Sequence, residues 1–331
     1  MTALRTRRSF NALSAAFLAA GPTGLALAAS PLDGWPGKPV RIVVGFPGGS
    51  TPDLSARTIG EPLSKALGQP VIVENRVGAG GNIAGELVAH ATDDHTISVM
   101  INGNMTIAKL LNDKLAYDPL TELQPVCLIG TAPLVLAVPA SMPGNSPQEL
   151  LKAARASGAS WSYGTPGVGT VGHLGMELLN AQLKTAAVHV PYPGYPQVIT
   201  AMIGGQLQWA LLPPALVSAQ VRAGKLKVIG VTSAGRSSLV PEYPSLAELG
   251  IPGFQLEIWN AVAAPASMPK PIVAKLSTMI SEIVRTPDVR AKLFQQGWQV
   301  VGSSAEGLAN RIKADTAQLG GVIRARGIRN E

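Results

Sequence analysis

The 331-residue chain is 46% hydrophobic and only 14% charged, which excludes an intrinsically disordered protein and leaves room for two domains, each with its own core. The formal net charge is +7, yet no Lys/Arg cluster interleaves with aromatics, which argues against a nucleic-acid partner. Cys127, in "PVCLIG", is the only cysteine, so no internal disulfide is available and the thiol reads as buried and structural.

The N-terminus carries Arg5, Arg7 and Arg8 without an acid, then the apolar "ALSAAFLAA", then Ala26-Leu27-Ala28. Basic, apolar and small-residue regions in that order read as an export signal over residues 1–29, too short in its apolar part to span a membrane comfortably. "TRRSFNAL" also fits a twin-arginine signal, and the choice between the two export routes stays open. Either route leads out of the cytoplasm, and loss of the segment leaves a net charge of about +4.

From residue 36 onward, short β-type runs alternate with helix-type segments. "VRIVVGF" (40–46) is followed by the loop "PGGSTPD" (47–53), then by Ile59, Leu63, Ala66 and Leu67 at helical spacing with Gly68 as a stop. "PVIVENR" (70–76) and "TISVMI" (96–101) come next, the latter running into "NGN" (102–104), and "PLVLAVP" spans 133–139. Ser146-Pro147-Gln148-Glu149 spells a helix start, and Ser245 to Glu248 repeats its Ser-x-x-Glu spacing. "WSY" leads into "GTPGVGTVGH" (164–173), "AAVHVPY" (186–192) into "PGYPQ". "LQWALL" (207–212), "KVIGVTS" (227–233) and "FQLEIWNAVAAP" (254–265) complete the set. Apolar runs between helices read as buried parallel strands, and the alternation reads as a doubly wound α/β fold. Ligands of such folds sit beyond the carboxyl ends of strands. Four strand ends here carry glycine-rich or polar loops, which points to one shared cleft.

Gly167, Gly169 and Gly172 fall in G-x-G-x-x-G spacing. A dinucleotide site would need an acid about 20 residues on. The next strand ends instead in Tyr192 and Pro193, and no Asp or Glu lies between Glu177 and Glu242. The alternative is an anion cradle of main-chain N–H groups at a helix N-terminus. Its candidate residues are Thr165, Gly167, Gly169, Thr170 and His173; for His173, ligand contact and a place along the first helical turn both stay open. Gly48, Gly49, Ser50 and Thr51 offer the same mechanism from the first loop. Asp53 reads as a first-turn acid, or as an acceptor for a ligand amine or a water. Asn102 and Asn104 read as a turn and cap or as hydrogen-bonding groups of the cleft, and Tyr192 and Tyr195 as packing or as its walls.

"PVRIVVGFPGGSTPDLSAR", "LGQPVIVENRVGAGGNIAGELVA", "YGTPGVGTVGHLGMELL", "VHVPY" and "RAGKLKVIGVTS" resemble the substrate-binding proteins of tripartite tricarboxylate transporters, the Bug family, across nearly all of residues 35–329. The resemblance implies an α/β fold of the type II periplasmic-binding-protein kind, with two doubly wound lobes joined by hinge strands. It implies a discontinuous first lobe (30–137 and 256–331) and a second lobe (138–255), with crossings near 134–139 and 255–262. It further implies a periplasmic monomer that holds a small organic carboxylate between its lobes and delivers it to integral membrane permease subunits. No cofactor or metal is expected. Many relatives carry an acid near the end of the strand matching "LQWALL", where this chain has Gln208 and Leu212. That departure disfavours an amino acid and favours a non-amino mono- or dicarboxylate with an apolar or aromatic body. A sensor that presents its ligand to a kinase is the alternative output. An exported hydrolase is less favoured, since no G-x-S-x-G or H-E-x-x-H motif occurs and the histidines stop at 90, 95, 173 and 189.

Overall fold

The computed structural model describes residue 32 and residues 34–326, the side chains of 325 and 326 excepted; the expected export segment lies outside the described residues. The chain begins with β1 (Val40–Val44), α1 (Thr51–Leu67), β2 (Val71–Asn75), α2 (Asn82–Ala89) and β3 (Thr96–Ile101). Two short helical segments, α3 (Asn102–Thr106) and α4 (Ala108–Leu111), precede the long β4 (Leu123–Pro133). After Leu134 come β5 (Val135–Pro139), α5 (Pro147–Ala156), β6 (Ser162–Thr165), α6 (Val171–Leu183) and β7 (Val188–Pro191). Then follow α7 (Tyr195–Ile203), β8 (Ala210–Leu212), α8 (Pro214–Arg222) and β9 (Leu226–Val231). The last stretch is β10 (Glu257–Pro265), α9 (Lys270–Arg285), α10 (Pro287–Gln295), β11 (Gln299–Val300) and α11 (Ala305–Arg326).

Strand alternation explains the first lobe's layering. In β1, Ile42 and Val44 face Ile59 and Leu63 of α1 and Leu276 of α9 in one core cluster. Val43 points the other way, into a second cluster with Val88 of α2 and Leu308 of α11. Gly68 stops α1 as expected, in the left-handed region at φ 68°. Ser146 caps α5 by accepting from the Glu149 N–H. Ser245 and Glu248 form the reciprocal pair of side-chain-to-backbone bonds, but they close turns rather than a helix, with Gly250 and Pro252 following.

The sheets are mixed, not purely parallel. The first has the order β11-β4-β10-β3-β1-β2, with β1 parallel to β2 and β3. There β10 runs antiparallel to both of its neighbours, β3 and β4. In the second lobe β8-β5-β9 form one sheet and β6-β7 a parallel pair, joined by a bridge between Tyr163 and Trp209. Here β5 runs antiparallel to β8 and β9. The physical reason is chain entry: β5 and β10 are the strands that arrive from the other lobe, so each comes in against the local grain.

The two crossings meet at one buried residue. The chain changes sheets at Leu134 and returns through Leu256, and Thr232 sits between them with no solvent exposure. Its hydroxyl accepts from the Leu134 N–H at 2.8 Å and donates to the Leu256 carbonyl at 2.7 Å. Its N–H donates to the Leu134 carbonyl and its carbonyl accepts from Leu256 N–H. Replacing Thr232 by Val leaves a buried donor and a buried acceptor unpaired, about 1–3 kcal/mol each. Chemical denaturation should show Thr232→Val losing at least about 2 kcal/mol while Thr232→Ser keeps most of the stability.

Candidate functional site

The loop after β1 is fixed by side chains that look inward. Gly49, at φ 80°, donates its N–H to Asp53 Oδ2 at 2.9 Å. The same carboxylate receives Arg57 Nε and Asn75 Nδ2, and Asn75 also donates to the Phe46 carbonyl at 2.8 Å. Burial alone would raise the Asp53 carboxyl, but the bonds from Arg57, Asn75 and Gly49 outweigh it and hold the group below the usual carboxylate range. Asp53 is therefore a brace for the loop, with its lone pairs committed. Ser50, which begins α1, is different: it is 2% exposed and its hydroxyl finds no partner.

Across the gap, the loop after β6 is built on the same plan. Gly167 and Gly169 adopt φ 121° and 81°, conformations a side chain resists. Thr170 caps α6, accepting from the His173 N–H and donating to the Gly167 carbonyl at 2.8 Å. Thr165 turns its hydroxyl away from the gap, 2.7 Å from His189 Nε2, and bonds Gly167 at its N–H and its carbonyl. His189 stacks between His173, with ring centroids 4.3 Å apart, and Tyr163, whose hydroxyl donates to Glu177. Burial, reinforced by His173, pushes His189 down to about 4, and burial lowers His173 as well. Both rings are thus neutral supports behind the loop.

Between these loops lies a small cavity of about 20 Å³, room for about one water. From the first lobe it is lined by Phe46, Ser50, Thr51, Pro52, Ile101, Asn102, Ile258 and Asn260, and from the second by Pro166, Thr170, Val171, Gly172 and Tyr195. No Lys or Arg is among them. The first turns of α1 and α6 both open onto it, with N–H groups that have no intrahelical acceptor.

Glycines let the lobes meet backbone to backbone. A Cβ on Gly80 would stand 2.8 Å from the Val168 carbonyl oxygen, and one on Gly103 would stand 2.6 Å from that of Gly169. Gly172 serves another purpose, since a Cβ there would press on the Tyr195 hydroxyl at 2.7 Å.

The structure thus brings Ser50, Thr51, Asn102, Thr170 and Tyr195 to the cavity. Gly48 and Gly49 are exposed at the loop tip. Asn104 lies behind, donating to the Gly80 carbonyl and to Asn82, and His173 lies along the first turn of α6. Gly167 and Tyr192 line a separate, open cleft of about 470 Å³ beside Gly78–Asn82. Of the two threonine hydroxyls expected as ligand donors, that of Thr165 is bonded to Gly167 and His189 and that of Thr170 to Gly167 and His173. Sequence reasoning missed Asn260, a lone amide in the apolar run "EIWNAV", and His189; a polar residue interrupting a buried strand was the available signal for Asn260.

Residues 55–328 match the model of the tripartite tricarboxylate transporter family receptor. Among solved structures the chain is similar to periplasmic binding protein BugD, at 29% identity and TM-score 0.84, covering 90% of this chain and 100% of that one. It is 32% identical to MatC of Rhodopseudomonas palustris with bound malate, TM-score 0.82, over 87% of this chain and 100% of the other. It is 30% identical to Rpa4515 of the same organism with adipate, TM-score 0.85, over 89% and 99%.

The histidine stack gives a pH dependence of known sign. An unfolded histidine titrates near 6.5 and folded His189 near 4, so between these values the unfolded chain binds more protons. The neutral ring's contribution is complete above pH 6.5 and is lost as pH falls toward 4. Thermal melts across that window should show a shallower acid-side decline for His189→Gln than for the unaltered protein.

Proposed function

The chain belongs to the tripartite tricarboxylate transporter receptor family, and from that premise we propose that it captures a small organic carboxylate between its two lobes and delivers it to integral membrane permease subunits. The reading includes export, with residues 1–29 as the signal and the periplasm as the destination, and a binding rather than a catalytic role. Lobe 1 is taken as residues 30–137 with 256–331 and lobe 2 as 138–255. The malate and adipate held by two structural relatives are both small carboxylates, which supports the ligand class.

The observation that carries the proposal is the Ser50 hydroxyl, buried and unpartnered at the start of α1, facing a gap that the start of α6 also borders. With the lobes parted beyond the single-water space seen between them, a carboxylate there would accept from Ser50 and from free first-turn N–H groups and would lie at the positive ends of two helix dipoles. No guanidinium is needed. Binding would favour the closed arrangement because only that arrangement brings both helix starts to the same anion.

The glycine seam supplies the test. Gly103 lies within a helical segment at an ordinary φ, so an added methyl strains nothing locally but strikes the opposite lobe. Gly103→Ala should raise the Kd for whichever small mono- or dicarboxylate stabilises the unaltered protein in a thermal-shift panel by about tenfold or more. Small-angle scattering should show that the variant fails to compact when the acid is added. An unaltered protein stabilised by no acid of the panel would defeat the proposal.

A further inference from the structure

One face of α11 forms a groove that takes no part in the cleft between the lobes. Ala309, Ile312, Lys313, Thr316, Ala317 and Arg324 line it, at steps of three, four and seven residues that put them on one side of the helix. The facing wall is apolar and comes from Met105 of α3, Leu110 of α4, Leu120 and Leu123. Leu110 and Leu120 are 45% and 56% exposed. The groove holds about 430 Å³, the size of a small-molecule site. None of its lining residues borders the cavity between the lobes or the open cleft beside it.

The charges in the groove have one sign. Lys313 and Arg324 line it and no Asp or Glu does. Neither cation has an ion-pair or hydrogen-bond partner among the described residues. Eleven positions separate them, which is three turns or ~16 Å along the same side of α11. The Arg324 guanidinium lies back along the helix beside the apolar wall: a Cβ on Gly320 would stand 3.3 Å from its Nη1 and 2.9 Å from Leu110 Cδ1. An unpaired guanidinium against hydrocarbon matches a ligand with a carboxylate at one end and an apolar chain behind it. We propose that this groove is a second binding site, for a medium-chain carboxylate of about ten carbons, its head on Arg324 and its chain against Leu110, Ala317 and Ile312. Lys313 adds a second positive charge on the same face, so a cationic amphiphile is repelled. A short acid would reach Arg324 but leave the leucine wall wet. The inference is independent of what the lobes hold between them.

The test is titration calorimetry of the purified protein, without its export segment, against hexanoate, decanoate and decyltrimethylammonium, each kept below its micelle concentration. The expected result is saturable one-to-one binding of decanoate, about tenfold or more tighter than hexanoate, with no binding of the cationic chain. Arg324→Glu and Leu120→Asp, both at exposed positions, should each weaken decanoate about tenfold or more. Decanoate that does not saturate, or that binds no tighter than hexanoate, would overturn the proposal. So would an affinity that survives either substitution, because the acid would then sit elsewhere on the protein. Equal binding of decyltrimethylammonium would overturn it as well, by showing contact with an apolar surface alone.

Discussion

Main-chain N–H groups from two lobes can surround one small anion only where no Cβ stands between the backbones. That steric condition governs the architecture of the cleft. Gly80 and Gly103 on one side and Gly167 and Gly169 on the other are where the lobes touch through bare backbone. Polar side chains beside them are bonded behind the gap: Asn75 to Phe46 and Asp53, Asn104 to Gly80 and Asn82. They satisfy the loops from behind, so that the front presents few polar atoms. Rigid loops of this kind lose little entropy when an anion arrives.

Closure needs a pivot as well as a seam. The two crossing points are bound to one residue, Thr232, which uses its hydroxyl, N–H and carbonyl on Leu134 and Leu256. If the lobes move as the proposed function requires, these bonds place the pivot beside Thr232, where hinge strands would flex through small dihedral changes. The reversed polarity of β5 and β10 follows from the same geometry, because a chain that leaves a lobe and later returns must lay down one strand in each direction.

Electrostatically the site is sparing. The cavity lining holds no cation, Asp53 beside it is paired with Arg57, and the two histidines behind the second loop are held neutral by burial. On the proposed function, attraction for an anion would come from helix starts and one serine hydroxyl, which are directional and short in range. Such a site discriminates by the position of hydrogen-bonding atoms more than by net charge.

The sequence by itself determined much of the element order, since apolar β-type runs such as "VRIVV" and stops such as Gly68 act over a few residues, while the long β4 and the helices after β10 were not among its readings. It also located the loops of the cleft, because glycine clusters after strands can be read locally, and its motifs carried the family resemblance. Only the tertiary structure decided which side chains in those loops face the gap. Asp53, Asn104, Thr165 and Thr170 have the chemistry of ligand-binding residues, yet each has a partner within the protein, in three cases across more than twenty positions of sequence. Asn260 and Thr232 acquire their roles solely because β10 and the end of β9 come beside segments laid down about 160 and 98 residues earlier. Hydrogen-bond allegiance depends on what folding brings within about 3 Å, and that distance is not written in the local order of residues.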